Sequence, residues 1–144
     1  MRAGAEHMAG FILDASVALA WVFPEAESEA CAPLYARACL EGVAAPVLWP
    51  IEVGNVLLIA ERRGRLTPEE HKRALHRLAG PQAELDDAMV RESATSARQL
   101  AQKHRLTLYD SLYLELSLRR RLPLASLDRE LRAAAKAEGV PLLP

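Results

Sequence analysis

The sequence predicts an α/β fold centred on a parallel sheet of about five strands. Short apolar runs at residues 11–13, 43–45 and 122–125 have the length of strands, and near-continuous apolar runs mark strands buried on both faces. Longer segments between them carry helix caps and helical spacing. Strands that alternate with helices assemble into a parallel sheet with right-handed crossovers. The third observation is where polarity returns. The first run stops on Asp14 and the run at 122–125 on Ser126-Leu127-Asp128, at the carboxyl ends of strands, where open α/β sheets bind their ligands.

Taken in order, residues 1–9 carry no structural signal and read as a flexible N-terminal extension, leaving residues 10–144 as a single domain. Residues 11–13 form the first strand. Residues 15–23 form a short helix that Pro24 stops. Ser28 can cap a second helix running to residue 40, with Pro33 early in it and Gly42 beyond its end. After the brief strand at 43–45, Pro46 opens a long apolar helix that reaches residue 63 and ends at Gly64. Thr67-Pro68-Glu69-Glu70 combines a capping threonine, a proline at the first helical position and a glutamate two residues later, which together start a helix. That helix stops at Gly80-Pro81. Residues 83–85 form a weak third strand. Asp86 or Asp87 caps the next helix, whose face is marked by Val90, Ala94, Ala97 and Ala101.

The alternation of Leu112, Leu114, Leu116 and Leu118 fits a strand. Yet residues 109–121 contain no β-branched residue and many strong helix formers, so they are assigned to a helix. Residues 122–125 form the fourth strand, 129–137 the last helix and 140–143 the final strand. A doubly wound sheet that grows outward from the first strand and then returns has the order 3-2-1-4-5. Its crevice opens between the first and fourth strands.

Composition sets the bounds. Apolar residues make up 51% and charged residues 26%, ordinary for a globular protein. The 144 residues suffice for one domain that buries roughly 68–70% of its unfolded surface. No stretch approaches the ~20 uncharged apolar residues that span a bilayer, and residues 11–13 are too short for a signal-peptide core. A cytoplasmic location with no membrane role follows as the expectation. Cys31 and Cys39 fall on one predicted helix, roughly 12 Å apart by helical rise and too far for a disulfide. They read as buried thiols in a reducing compartment. His7, His71, His76 and His104 lack metal-ligand spacing. The net charge of −1 gives no overall basic character. Two arginine clusters, Arg62-Arg63 with Arg65 and Arg119-Arg120-Arg121, fit helix C-termini, with phosphate contact as their other use.

The acids carry the chemistry. Asp128 faces Asp14 across the predicted crevice, and Asp110 begins the helix leading into the fourth strand, near the same end of the sheet. Glu52 lies in the helix after the second strand, with Leu48, Asn55, Val56 and Ile59 on its face. A glutamate among apolar neighbours is costly unless paired, and Arg62 and Arg63 are too far along the helix to pair with it. Each acid has a plainer reading: Asp14, Asp110 and Asp128 as helix caps, Glu52 on an exposed face, Ser16 and Ser126 as turn hydroxyls. Independent caps have no reason to gather at one switch point. Four carboxylates in one crevice repel each other and raise some pKa values, which a divalent cation relieves. All-oxygen donors without Cys or His select Mg²⁺ or Mn²⁺ over zinc. Such a site suits metal-assisted hydrolysis of a phosphodiester.

The segments Ile12-Leu13-Asp14-Ala15-Ser16, Pro50-Ile51-Glu52-Val53-Gly54-Asn55, Leu108-Tyr109-Asp110-Ser111-Leu112-Tyr113 and Ala125-Ser126-Leu127-Asp128-Arg129 resemble the PIN-domain signature. The resemblance is closest to VapC-type toxins of bacterial toxin–antitoxin pairs and extends from residue 11 to 143. It implies a three-layer α/β/α sandwich and a Mg²⁺- or Mn²⁺-dependent endoribonuclease. By that likeness Asp14, Glu52, Asp110 and Asp128 are the catalytic acidic quartet. Asp14 and Asp110 are the leading metal ligands, Glu52 and Asp128 complete the site or hold a second ion, and Ser16, Asn55 and Ser126 support it. The resemblance also implies a homodimer and a VapB-like antitoxin whose C-terminal segment lies over the active site.

Two other classes fit less well. A signalling receiver needs an adjacent acidic pair after the first strand, and Ala15 follows Asp14. A two-aspartate phosphatase needs Asp-x-Asp there, and Ser16 takes the second place. A housekeeping RNA-processing nuclease, or an RNA-binding PIN protein without a toxin role, keeps the fold and changes only the purpose.

Overall fold

A computed structural model describes residues 8–23, 28–93 and 95–144. Most of the N-terminal extension, Pro24, the side chain of Ser28 and Ala94 lie outside the described residues. The elements run β1 (Phe11–Leu13), α1 (Ala15–Ala20), α2 (Ser28–Glu41), β2 (Val43–Pro46), α3 (Leu48–Arg62), α4 (Pro68–Ala79), β3 (Glu84–Asp86), α5 (Met89–Ser93), α6 (Ser96–His104), α7 (Leu108–Arg120), β4 (Leu124–Ala125), α8 (Arg129–Ala137) and β5 (Leu142–Leu143). The five strands form one parallel sheet in the order β3-β2-β1-β4-β5, as the doubly wound reading requires. Helices flank it on the α/β/α plan, with α7 packed against β1, β2 and β4.

Burial follows position in the sheet. Every residue of β1, β2 and β4 is buried, whereas the edge strand β3 is largely exposed. Phe11, Ile12 and Leu13 anchor the main core with Val17, Leu57, Tyr113, Leu114 and Leu131. Burying one such large apolar side chain contributes roughly 1.5–3 kcal/mol.

The region with the ambiguous leucine alternation is helical. Seven consecutive residues of α7, Ser111 to Ser117, are buried. A helix enclosed on all sides needs no polar face, so its apolar positions lose the helical period. Thr107 caps it by accepting the Asp110 N–H at 3.1 Å. The capping box at the start of α4 is complete, with Thr67 and Glu70 exchanging hydrogen bonds at 3.0 and 2.8 Å.

Several boundaries differ from expectation. Helix α1 ends at Ala20, short of Phe23. Pro46 closes β2, where it pairs in register with Asp86, and does not open the next helix. Helix α3 starts at Leu48, with Pro50 in its first turn, where a missing N–H breaks no helical bond. The third strand is shifted one residue onward, and Asp86 ends it while accepting the Ala88 N–H at 3.0 Å. The helix expected through Val90 and Ala101 is two helices. Ser93 at the end of α5 and Thr95 ahead of α6 turn their hydroxyls back on the Val90 and Arg91 carbonyls at 2.9 and 3.3 Å, competing with the helical ladder. Ala97 is buried as expected, but Val90 is 76% exposed. Cys39 is exposed and only Cys31 is a buried thiol.

Candidate active site

The site begins where β1 stops. In the sheet, Leu13 pairs with Ala125, and the ladder continues as the Asp14 N–H donates to the Ala125 carbonyl at 3.0 Å. This register sets Asp14 beside Ser126. The Ser126 hydroxyl donates to Asp14 Oδ2 at 2.8 Å, and the Ser16 hydroxyl donates to the same oxygen at 2.6 Å. Each serine oxygen also accepts a backbone N–H from the loop after β4: Ser16 from Leu127 at 2.9 Å, Ser126 from Asp128 at 3.0 Å. Those incoming N–H groups leave each hydroxyl proton to Asp14. Asp14 is only 6% exposed. It occupies the N-cap position of α1 but makes no side-chain capping bond.

Asp110 is the third residue of α7 and is not its cap, since Thr107 holds that role. Asp128 combines both functions weighed for it. Its Oδ1 caps α8 through the Leu131 N–H at 2.8 Å, and its charge is felt at Asp14 and Asp110. Glu52, half-buried on α3, accepts a 2.6 Å hydrogen bond from the Tyr113 hydroxyl. Tyr113 is therefore the partner that Glu52 required.

The electrostatics show the four acids acting on one another. Burial raises the pKa of Asp14, opposed by the Ser16 and Ser126 hydroxyls and reinforced by Asp128. Burial likewise raises Glu52, opposed by Tyr113 and reinforced by Asp14. Asp110 is pushed up to about 6, first by burial and then by Asp128, Asp14 and Glu52. Carboxylates that resist ionisation together are suited to a divalent cation, which neutralises the repulsion. The donor set, all carboxylate oxygen, fits Mg²⁺ or Mn²⁺. Among the described residues, no three or more His, Cys, Asp or Glu side chains are grouped closely enough to hold a metal ion. An ion held by one or two carboxylates with retained water, as Mg²⁺ prefers, fits that open arrangement.

The other expected participants divide. Ser16 and Ser126 sit against Asp14. Asn55 is exposed, one turn beyond Glu52 on α3. The arginine cluster at the end of α7 is structural in part. Arg119 pairs with Asp86 at 3.0 Å and with buried Glu115 at 2.7 Å, and Arg120 pairs with Glu84 at 3.0 Å. Arg65 lies over the Phe23 ring. A concavity of about 890 Å³ lies between the end of α1 and α4, lined by Trp21, Phe23, Leu66, Arg73 and Arg77. It contains none of the four acids. Tyr113 stands three residues after Asp110, hence on the same helix face, a spacing visible in the sequence.

A parallel α/β sheet with four acids gathered at its switch point defines a candidate metal-dependent hydrolase. The PIN-domain family model matches residues 11–137, and the chain belongs to the PIN-domain family, whose members are generally metal-dependent nucleases. Comparison with curated proteins finds no match. Among solved structures the chain is similar to PAE2754 from Pyrobaculum aerophilum, with a TM-score of 0.68 and 24% identity over 93% of this chain and 90% of that one. This likeness supports the fold. Among the described residues, no helix is long and apolar enough to cross a membrane.

Proposed function

We propose that the protein is a Mg²⁺- or Mn²⁺-dependent endoribonuclease, the toxin half of a VapBC-type pair. The observation that carries the nuclease reading is the convergence of four acids from four parts of the chain, with Asp14 fixed by two serines. The toxin reading rests on the resemblance of the four motifs to VapC-type proteins. On this reading the partners are RNA, a second copy of the chain and a VapB-like antitoxin, in the cytoplasm.

Asp14 and Asp110 would hold the ion, with Glu52 and Asp128 completing the site. The chemistry supplied by bound metal is activation of water and neutralisation of charge at the scissile phosphodiester. Ser16 and Ser126 keep Asp14 Oδ2 engaged, so the carboxylate cannot rotate as substrate arrives. Tyr113 restrains Glu52 in the same way. Attack by water on the phosphorus would leave 5′-phosphate and 3′-hydroxyl ends. With a net charge of −1, binding to RNA depends on locally placed arginines and weakens as salt rises.

Purified Asp14→Asn protein should keep the fold, by circular dichroism, and lose Mn²⁺-dependent cleavage of RNA. Unchanged cleavage would overturn the site assignment. Growth arrest on expression, relieved by the reading frame immediately upstream, would support the toxin role. Expression without arrest would count against it.

A further inference from the structure

We infer that Tyr113 is a positioning residue for the metal site, acting through Glu52. This rests on the nuclease reading and extends it to a residue outside the acidic quartet. Tyr113 is fully buried, and its ring belongs to the main core. Its hydroxyl donates to Glu52 Oε1 at 2.6 Å across 61 positions of sequence, the short distance typical of a hydroxyl bonded to a charged carboxylate. Among the described residues it is the only hydrogen-bond partner of the Glu52 side chain.

Within the quartet, Asp14 is held by two hydroxyls, and Asp128 is held by the end of its own helix. Glu52 has a longer side chain and one more rotatable bond than an aspartate. Tyr113 supplies the restraint that this longer side chain requires. The donor comes from α7, the helix that also carries Asp110. Asp110 and Tyr113 share a face at i and i+3. A single rigid helix thus sets two of the four acids, one directly and one through a hydrogen bond. With Oε1 engaged by Tyr113, Oε2 is the Glu52 oxygen left to serve a cation, as outer partners commonly arrange for metal-binding carboxylates.

The test compares Tyr113→Phe, Glu52→Gln and the double variant, each first checked for native circular dichroism. Mn²⁺ affinity is measured by calorimetry, and kcat and KM are measured on a model RNA. Phenylalanine keeps the ring in the core and removes only the oxygen. Tyr113→Phe should weaken Mn²⁺ binding or lower kcat by about 10-fold or more, with KM for RNA little changed. On the Glu52→Gln background, the same change should have no further effect. A merely structural tyrosine would act equally on both backgrounds and leave Mn²⁺ affinity alone. That result, with Glu52→Gln still impaired, overturns the role of Tyr113 and leaves the nuclease reading standing. If Glu52→Gln and Asp14→Asn both cleave normally, the nuclease site itself is refuted, and the role of Tyr113 falls with it.

Discussion

Asp110→Asn should make the metal-free protein more stable while removing its activity. In the unfolded chain Asp110 ionises at its ordinary value of 3.8, whereas in the folded chain it keeps its proton up to about 6. A rise of that size corresponds to about 3 kcal/mol if the whole interaction is felt. Asp110 is only partly buried, so solvent screening reduces the share that reaches the fold to about 1 kcal/mol. Below about pH 4 both states hold the proton and there is no penalty. Through the interval up to about pH 6 the folded state binds more protons, so wild-type stability falls as pH rises; above it the penalty is complete. Asparagine cannot ionise and escapes the penalty. In EDTA at pH 7.5 the variant should melt about 2–4 °C higher than wild type, with the gain vanishing at about pH 4. Added Mn²⁺ should stabilise wild type and leave the variant behind. Equal melting temperatures across the whole pH series would refute the mutual repulsion on which the metal argument depends.

Two further substitutions probe the frame around the acids. Ser126→Ala removes a donor to Asp14 and an acceptor for the Asp128 N–H. It should cost about 1–3 kcal/mol in urea unfolding, and about 10-fold in Mn²⁺ affinity by calorimetry. Arg119→Met leaves buried Glu115 without its cation, since Glu115 is 6% exposed at the side chain. A loss of about 3 kcal/mol or more in urea unfolding is expected, and a loss below about 0.5 kcal/mol would place that pair among surface ion pairs of little weight.

Much of the site could be read from the chain because its acids stand at punctuation. Asp14 and Asp128 follow strand ends, and the sheet order that brings them together depends only on the alternation of strands and helices. The two serines were nameable, but the direction of their hydrogen bonds was not. That direction depends on the loop after β4, whose Leu127 N–H reaches Ser16 across 111 positions and whose Asp128 N–H turns back on Ser126. Tyr113 is not legible as a site residue because a tyrosine in a leucine-rich helix looks like core, and its ring is core. Its hydroxyl matters only once α3 has been packed, a fact of tertiary structure. The arginines of α7 were legible as a cluster at a helix end, yet Glu84, Asp86 and Glu115 claim two of them through contacts up to 36 positions away. The break between α5 and α6 turned on side-chain hydroxyls competing for backbone carbonyls, which residue periodicity does not register. Cys39 sits on the same helix as Cys31, but eight residues is not a whole number of turns from the buried stripe's centre, and it emerges on the open side.

The hydrogen bond from Ser126 to Asp14 joins residues 112 positions apart. During synthesis Asp14 emerges early, on a strand that already has β2 available to one side. The strand for its other side arrives only with Leu124 and Ala125. Until then β1 is an unfinished edge, and Asp110 and Asp128 have no sheet end to gather at. Such long-range pairing is late and slow to form. A growing chain therefore leaves the ribosome with its acids dispersed. If the finished cluster cuts RNA, the chain's own topology delays that ability until almost all of the domain has been released from the RNA machine that makes it.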